Sequence, residues 1–341
     1  KRASRSMKRR GSRLRKYSSP GAIHWSESKT VAAAKVRRQT HEQYQNVVRL
    51  HVLPAMGERR IATIRPSDIE LLLVNKLNDG LKPKTVSHIQ TVLFGILKRA
   101  VRDGIIRGNP AAGLIGELGL RRKARTDGHI KALDTDQLRA FLAAARVRHP
   151  HLHLMFFVMA STGVRIGEAI AVRWADVDFD GVEDKGELVY GITIQRNMLR
   201  SGKTDQTKSA RIRRVDLDDD VRDALWTSYQ DFLERNLSLG RTLENWAFPN
   251  PRGGHLYHVT IQPQFKQILA AADLPPHFTP HSLRHTFASV HIALGSGLPW
   301  IKEQLGHASI QMTYDIYGHW LKRSDKSAAR RFQEALNAGR K

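Results

Sequence analysis

The chain has 341 residues, enough for two domains that each bury a core, and its 56 Lys and Arg against 32 Asp and Glu leave a formal charge of +24. A surplus of that size points to a polyanionic partner, with nucleic acid ahead of anionic lipid or ribosomal RNA. The absence of cysteine excludes a disulfide scaffold, thiolate metal sites and a cysteine nucleophile.

Residues 1–23 read as a basic arm, since Lys1, Arg2, Arg5, Lys8, Arg9, Arg10, Arg13, Arg15 and Lys16 accompany almost nothing that can be buried. Counterion release rewards any such cluster near phosphate, so a solvated tail and an arm that orders on DNA both fit. A start at Lys1 rather than Met reads as a fragment or a processed chain. The basic stretch is not followed by the apolar core of a signal peptide, and apolar runs such as residues 154–160 are too short to span a bilayer. A soluble, cytoplasmic or nucleoid-associated protein with no membrane partner is expected.

Residues 24–107 carry the spacing of separate amphipathic helices. Val47, Val48, Leu50 and Val52 lead to Pro54; Ile69, Leu72, Leu73 and Leu77 end near Gly80; Thr85, Val86, Ile89, Val92, Leu93, Ile96 and Leu97 follow Pro83 and stop at Gly104. An all-α first domain is predicted. Residues 108–129, with Gly108, Pro110, Gly113, Gly116, Gly119 and the run Arg121, Arg122, Lys123, have the composition of a flexible basic linker.

The second domain, residues 130–341, reads as mixed α+β and mainly helical. Asp134 or Thr135 caps a helix through Leu138, Phe141 and Leu142. Residues 188–195 and 212–217, rich in β-branched side chains, form an antiparallel pair around a long basic turn. His149, His151 and His153 read as a polar loop. Beyond residue 317, Ala328, Ala329, Phe332, Ala335 and Leu336 make an apolar stripe on a C-terminal tail helix, which must be covered by its own domain or by a neighbouring protomer.

Four segments carry chemistry: Ser161-Thr-Gly-Val-Arg165-Ile-Gly-Glu168, Gln206-Thr-Lys208-Ser, His281-Ser-Leu-Arg284-His285, and Leu305-Gly-His307 continuing to Tyr314-Asp-Ile-Tyr317-Gly-His319. Singly each has an ordinary reading. Arg165 and Glu168 make a surface ion pair on a helix, and His281 with Arg284 makes a solvated pair. His281 and His285 share a helix face, yet no glutamate lies between them and no third ligand follows, which argues against zinc. Gly202-Lys203-Thr204 ends like a phosphate-binding loop, but Asn197 stands where its earlier glycine belongs.

In combination and order, these segments resemble the tyrosine recombinases, or phage integrase family, over nearly the whole chain. The resemblance extends to His51-Val-Leu-Pro54 through Gly57 and to Gly104-Ile-Ile-Arg-Gly-Asn109-Pro110 in the first domain. It implies an all-α core-binding domain, a SAM-like helical bundle, followed by a tyrosine-recombinase catalytic domain, the two clamping duplex DNA. It also implies Arg165, Lys208, His281, Arg284, His307 and Tyr317 as catalytic residues, with Glu168 and His285 supporting them. No cofactor or metal is called for.

The residue types suit that chemistry. Attack on a phosphodiester builds negative charge on the non-bridging oxygens, which paired guanidiniums such as Arg165 and Arg284 hold well. A phenol with a reference pKa of about 10 needs a proton acceptor or a strongly positive site, which His281 and the two arginines supply. The expelled 5′ oxygen needs a proton, and a lysine in a desolvated cationic setting gives one. The spacing to the second strand that the resemblance implies suits Lys208, and Lys203 on the same turn is the alternative. The resemblance also implies that His307 donates to the phosphate. The Tyr-Gly-His ending, a form the family often shows, favours Tyr317 over Tyr314 as nucleophile.

By the same resemblance the product is a 3′-phosphotyrosyl link and a free 5′ hydroxyl, made in a homotetramer on paired recombination sites, with accessory DNA-bending proteins as possible partners. A type IB topoisomerase uses the same pocket without a synaptic partner, and an architectural DNA-binding protein needs the charge alone. The full residue set favours the recombinase that integrates or excises a mobile element.

Overall fold

The computed structural model describes residues 38–119, 131–184, 186–199, 202–206, 212–240 and 244–317. The basic arm, Lys208, the later part of the expected linker and the expected tail helix lie outside the described residues. The chain divides into two compact units, residues 1–128 and 129–341.

The first unit is helical. Helix α1 (Arg38–Val47) passes through a π-helical turn (Val48–Val52) into the short α2 (Leu53–Met56), and α3 (Pro66–Asn78), α4 (Pro83–Arg102) and α5 (Leu114–Glu117) follow. Proline opens α3 and α4, where its missing N–H costs nothing and its fixed φ suits the first turn. Val86, Ile89, Leu93 and Leu97 of α4 recur on one face and pack on Ile69, Leu72 and Leu73 of α3 and on Val52 and Met56.

The expected linker starts later than its composition indicates. Asn109 accepts from the Ala111 N–H at 2.9 Å and donates to the Phe94 carbonyl at 3.0 Å, while buried Gln90 of α4 donates to the Ala111 carbonyl at 2.8 Å. Ala111 and Leu114 complete the helical core. Gln90 from α4 and Asn109 within the stretch thus hold the Ala111 backbone and tie it to α4, and residues 108–118 pack with this unit.

The second unit opens with α6 (Thr135–Arg148), capped by Asp134, whose carboxylate accepts the Gln137 N–H at 2.8 Å. Helix α7 (Pro150–Thr162) carries His151 and His153, so these lie on a helix rather than in a polar loop. Pro150 starts that helix and Leu152, Met155, Phe156, Val158 and Met159 bury it. After the one-turn helix α8 (Ile166–Ile170) come β1 (Val177–Asp184), β2 (Glu187–Ile194), β3 (Arg196–Met198), β4 (Thr204–Gln206) and β5 (Arg213–Leu217).

Strands β1, β2 and β5 form an antiparallel sheet in that order, with Ile192 opposite Val215, and β3 pairs with β4. The expected pair is β2 with β5. Strand β1 escapes the alternation pattern because half of it is acidic and a bulge interrupts it between Asp178 and Val182.

Helices α9 (Asp219–Leu239), α10 (His258–Ala271), α11 (Pro280–Ala293), α12 (Leu298–Leu305) and α13 (Ile310–Tyr317) complete the described chain. Phe141, Phe156 and Phe265 meet ring to ring in the main core. A separate apolar cluster of Phe287, Ala288, Ile292, Ile301, Leu305 and Tyr317 joins α11, α12 and α13. Among the described residues no helix is long and apolar enough to cross a membrane.

Replacing Gln90 with Ala strands the buried Ala111 carbonyl, at a cost of about 1–3 kcal/mol. Amide exchange at residues 110–118 is expected to rise more than exchange in α3, as hydrogen-exchange mass spectrometry would read.

Candidate active site

Two motif glycines set the frame. Gly163 ends α7 with φ +67°, and a β-carbon there would fall 2.6 Å from the Phe287 ring and 2.8 Å from Leu305. Gly306 ends α12 with φ +62°, and a β-carbon there would fall 2.9 Å from the Arg213 guanidinium. Both positions demand the left-handed region and a close approach, which only glycine combines. The turns they allow carry Arg165 and His307.

Arg165 stands at the start of α8. Glu168 reaches back to accept its backbone N–H at 2.9 Å and its guanidinium at 2.8 Å. This is not the surface pair that the spacing alone describes, because the Glu168 side chain is 1% exposed and is also held by Arg213, at 2.7 Å and 3.2 Å. Burial by itself raises the Glu168 pKa, but the hydrogen bonds and charge of Arg213, with Arg165 behind it, outweigh burial and bring it down to about 2.

Arg213 is the buried charge beside these residues that motif reading overlooks. Besides Glu168 it donates to the Gln304 carbonyl at 3.1 Å, tying β5 to the end of α12. Asp216 strengthens the tie, accepting from Trp300 and from Gln304, both at 2.8 Å. A signal was available: with a period of two, Arg213 shares the inward face of β5 with Val215 and Leu217. A charge on that face requires a buried partner.

Arg284 on α11 is buried and donates to the carbonyls of Gly163 at 2.8 Å and Leu305 at 2.6 Å. It thereby joins the ends of α7 and α12. Burial first, and Arg165 next, lower its pKa to about 9, so it stays charged at neutral pH. His281, one turn earlier, is held at about 4 by burial and then by the charges of Arg284 and Arg165, against the opposite pull of Glu168. His307 lies between α12 and α13, its Nδ1 2.8 Å from the Thr313 hydroxyl; burial and then Arg284 bring it to about 3. Both rings are therefore neutral at pH 7.

Tyr317 closes α13, 1% exposed. Its hydroxyl lies in hydrogen-bond contact with Nδ1 of His285 at 2.8 Å, and its ring lies parallel to that of His307 with centroids 6.4 Å apart. Tyr314 on the same helix is 54% exposed. Of the expected residues, Arg165, Glu168, His281, Arg284, His285, His307 and Tyr317 come together. Lys208 lies outside the described residues, and exposed Lys203 belongs to the β3–β4 turn, where its carbonyl accepts from Leu199 at 2.8 Å. Among the described residues no three His, Asp or Glu side chains converge as a metal site.

Replacing Arg213 with Ala leaves the Glu168 carboxylate buried without its main partner, an expected loss of about 3–5 kcal/mol in denaturant unfolding at pH 7. Acid acts on the same groups. Glu168 has its pKa lowered in the fold, so its contribution is full above about 4.5, is lost as pH falls toward 2, and amounts to about 3 kcal/mol. His281 and His307, also lowered, resist protons that the unfolded chain takes up below pH 6.5, so they lower stability in the same direction. Unfolding at pH 7, 5 and 3 should show stability falling throughout.

The model of the Phage integrase family matches residues 131–323, and that of its N-terminal SAM-like domain matches residues 24–78. The ICEBs1 integrase of Bacillus subtilis is 25% identical over 306 residues, covering 86% of this chain and 78% of the relative. The Tn1549 transposon integrase, solved with a circular intermediate DNA, superposes with a TM-score of 0.70 at 20% identity, covering 91% of this chain and 97% of the other. The lambda integrase tetramer bound to a Holliday junction gives 0.61 at 18%, covering 88% and 78%. Over half of the chain lies within the first of these family matches, and seven of the residues that the sequence singles out meet around one tyrosine: the chain belongs to the phage integrase family of tyrosine-type site-specific DNA recombinases.

Proposed function

We propose that this recombinase cleaves DNA with Tyr317 and integrates or excises a mobile element. The observation that carries this reading is that the Tyr317 hydroxyl, and not that of exposed Tyr314, stands within the Arg284, His285 and His307 cluster. The names of the ICEBs1 and Tn1549 integrases support the mobile-element part.

In the proposed reaction Oη of Tyr317 attacks the phosphorus, the bond from phosphorus to the 5′ oxygen breaks, and a 3′-phosphotyrosyl link conserves its energy. Arg165 and Arg284 hold the non-bridging oxygens as charge grows on them. A neutral His307 whose Nδ1 accepts from Thr313 presents Nε2–H as a further donor. Lys208 protonates the leaving oxygen. Glu168 orients Arg165 and does no chemistry. A partner strand's 5′ hydroxyl then reverses the step.

The partner is double-stranded DNA, to which the charge of +24 and the basic arm contribute long-range attraction. Both units contact the duplex. Four copies assemble on paired sites, as four lambda integrase copies do on a Holliday junction, with DNA-bending proteins assisting. The site of action is the cytoplasm, at the nucleoid.

A suicide substrate carrying the cognate core site and a nick tests this reading. Wild type and Tyr314→Phe are expected to give a denaturant-resistant protein–DNA adduct, and Tyr317→Phe none. An adduct that survives in Tyr317→Phe and vanishes in Tyr314→Phe moves the nucleophile to Tyr314. No adduct on DNA that the protein binds leaves an architectural role.

A further inference from the structure

We propose that His285 is the group that takes the proton from the Tyr317 hydroxyl as it attacks, a role for which the sequence alone offers His281 with the two arginines. The inference rests on the reading of Tyr317 as nucleophile. The 2.8 Å contact between Nδ1 and Oη is the direct hydrogen bond that general-base transfer requires. The two rings meet at 63° with centroids 5.7 Å apart.

The sequence neighbours of His285 anchor the stretch of α11 that carries it. Arg284 on one side is locked to the Gly163 and Leu305 carbonyls. Thr286 on the other accepts the Leu133 N–H at 2.8 Å. Both backbone neighbours are therefore pinned to different parts of the unit, and α11 holds little freedom about position 285. Tyr317 belongs to the apolar cluster that ties α13 to α11 and α12, so its hydroxyl is brought to His285 by packing.

His281 is poorly suited to the same task. Its ring stands edge-on against that of His285, with centroids 4.7 Å apart. Burial, Arg284 and Arg165 hold it at about 4, which makes it a weak acceptor for a phenol proton. A neutral His281 serves the phosphate as a donor instead. The groups around the transfer are then His281 and Arg284 on the same helix, Tyr317 on α13, His307 between α12 and α13, and Arg165 at the start of α8.

The step balances. The bond from Oη to phosphorus forms, the bond from phosphorus to the 5′ oxygen breaks, the phenol proton passes to Nδ1 of His285, and the departing oxygen takes its proton from the acid, Lys208. In the rejoining step Nδ1 returns the proton to Tyr317.

The test is single-turnover cleavage of the nicked substrate by the full chain, across pH, for wild type, His285→Ala and His285→Asn, with DNA binding and thermal melting measured in parallel. Asparagine keeps an acceptor oxygen close to the place of Nδ1 but is not a base. Both variants are expected to bind DNA within a few-fold of wild type, to cleave about 10²-fold more slowly or worse, and to lose the acid limb of the pH profile. Replacing the Tyr317 side chain by a fluorinated tyrosine, whose phenol is more acidic, should recover part of the lost rate in His285→Ala, as a packing defect would not.

Cleavage by His285→Asn within a few-fold of wild type overturns the proposal, because a hydrogen bond without a base then suffices. An unaltered pH profile in both variants, or no recovery with the fluorinated ring, overturns it equally. Persistence of the adduct in Tyr317→Phe is a separate failure, that of the nucleophile itself, and removes the proposal with it.

Discussion

The second unit is built around a carboxylate that has been taken out of water. Glu168 is surrounded by cations because a buried negative charge without partners costs several kcal/mol, and Arg165 and Arg213 approach from different elements to meet it. Those two arginines cannot take that position unless α8 and β5 are in register. Arg213 in turn reaches the Gln304 carbonyl at the end of α12. One ionised side chain therefore fixes the start of α8, the start of β5 and the turn before His307. None of the four motif segments spans those three places.

Arg284 makes a second bracket of the same kind with carbonyls in place of a carboxylate. Its two donated hydrogen bonds join α7 to α12, and they satisfy helix-end carbonyls that would otherwise be buried without donors. The two brackets share the segment from Gln304 to Gly306. Clustering them there explains why a side chain at Gly306 would strike Arg213, and why the Leu-Gly-His turn has so little freedom.

Much of this was legible in the sequence. Helical periodicity marked α4 and the capped α6, and β-branched runs marked β2 and β5, because each of these patterns is a local consequence of burying one face. The motifs supplied seven residues that the structure brings together. What escaped had non-local causes. The segment after residue 108 is rich in glycine and proline, and Gln90, distant in sequence, holds the Ala111 carbonyl while Asn109 holds its N–H. Strand β1 is too acidic and too bulged to alternate. Arg213 is one basic residue among many until its position on the inward face of a strand is considered. The choice of His285 over His281 as the tyrosine's partner depends on where α13 packs, which no spacing within α11 encodes.

The neutrality of the two deep histidines has an electrostatic consequence. Among the described residues, the guanidiniums of Arg165, Arg213 and Arg284 against the carboxylate of Glu168 leave a net charge of 3 − 1 = +2 at the centre. A resting phosphodiester carries a single negative charge, whereas the five-coordinate arrangement formed when a phenolate attacks it carries two. A centre of +2 matches the second better than the first. Keeping His281 and His307 uncharged holds the centre at that charge, and it leaves intact DNA gripped less tightly than protonated imidazoles would grip it.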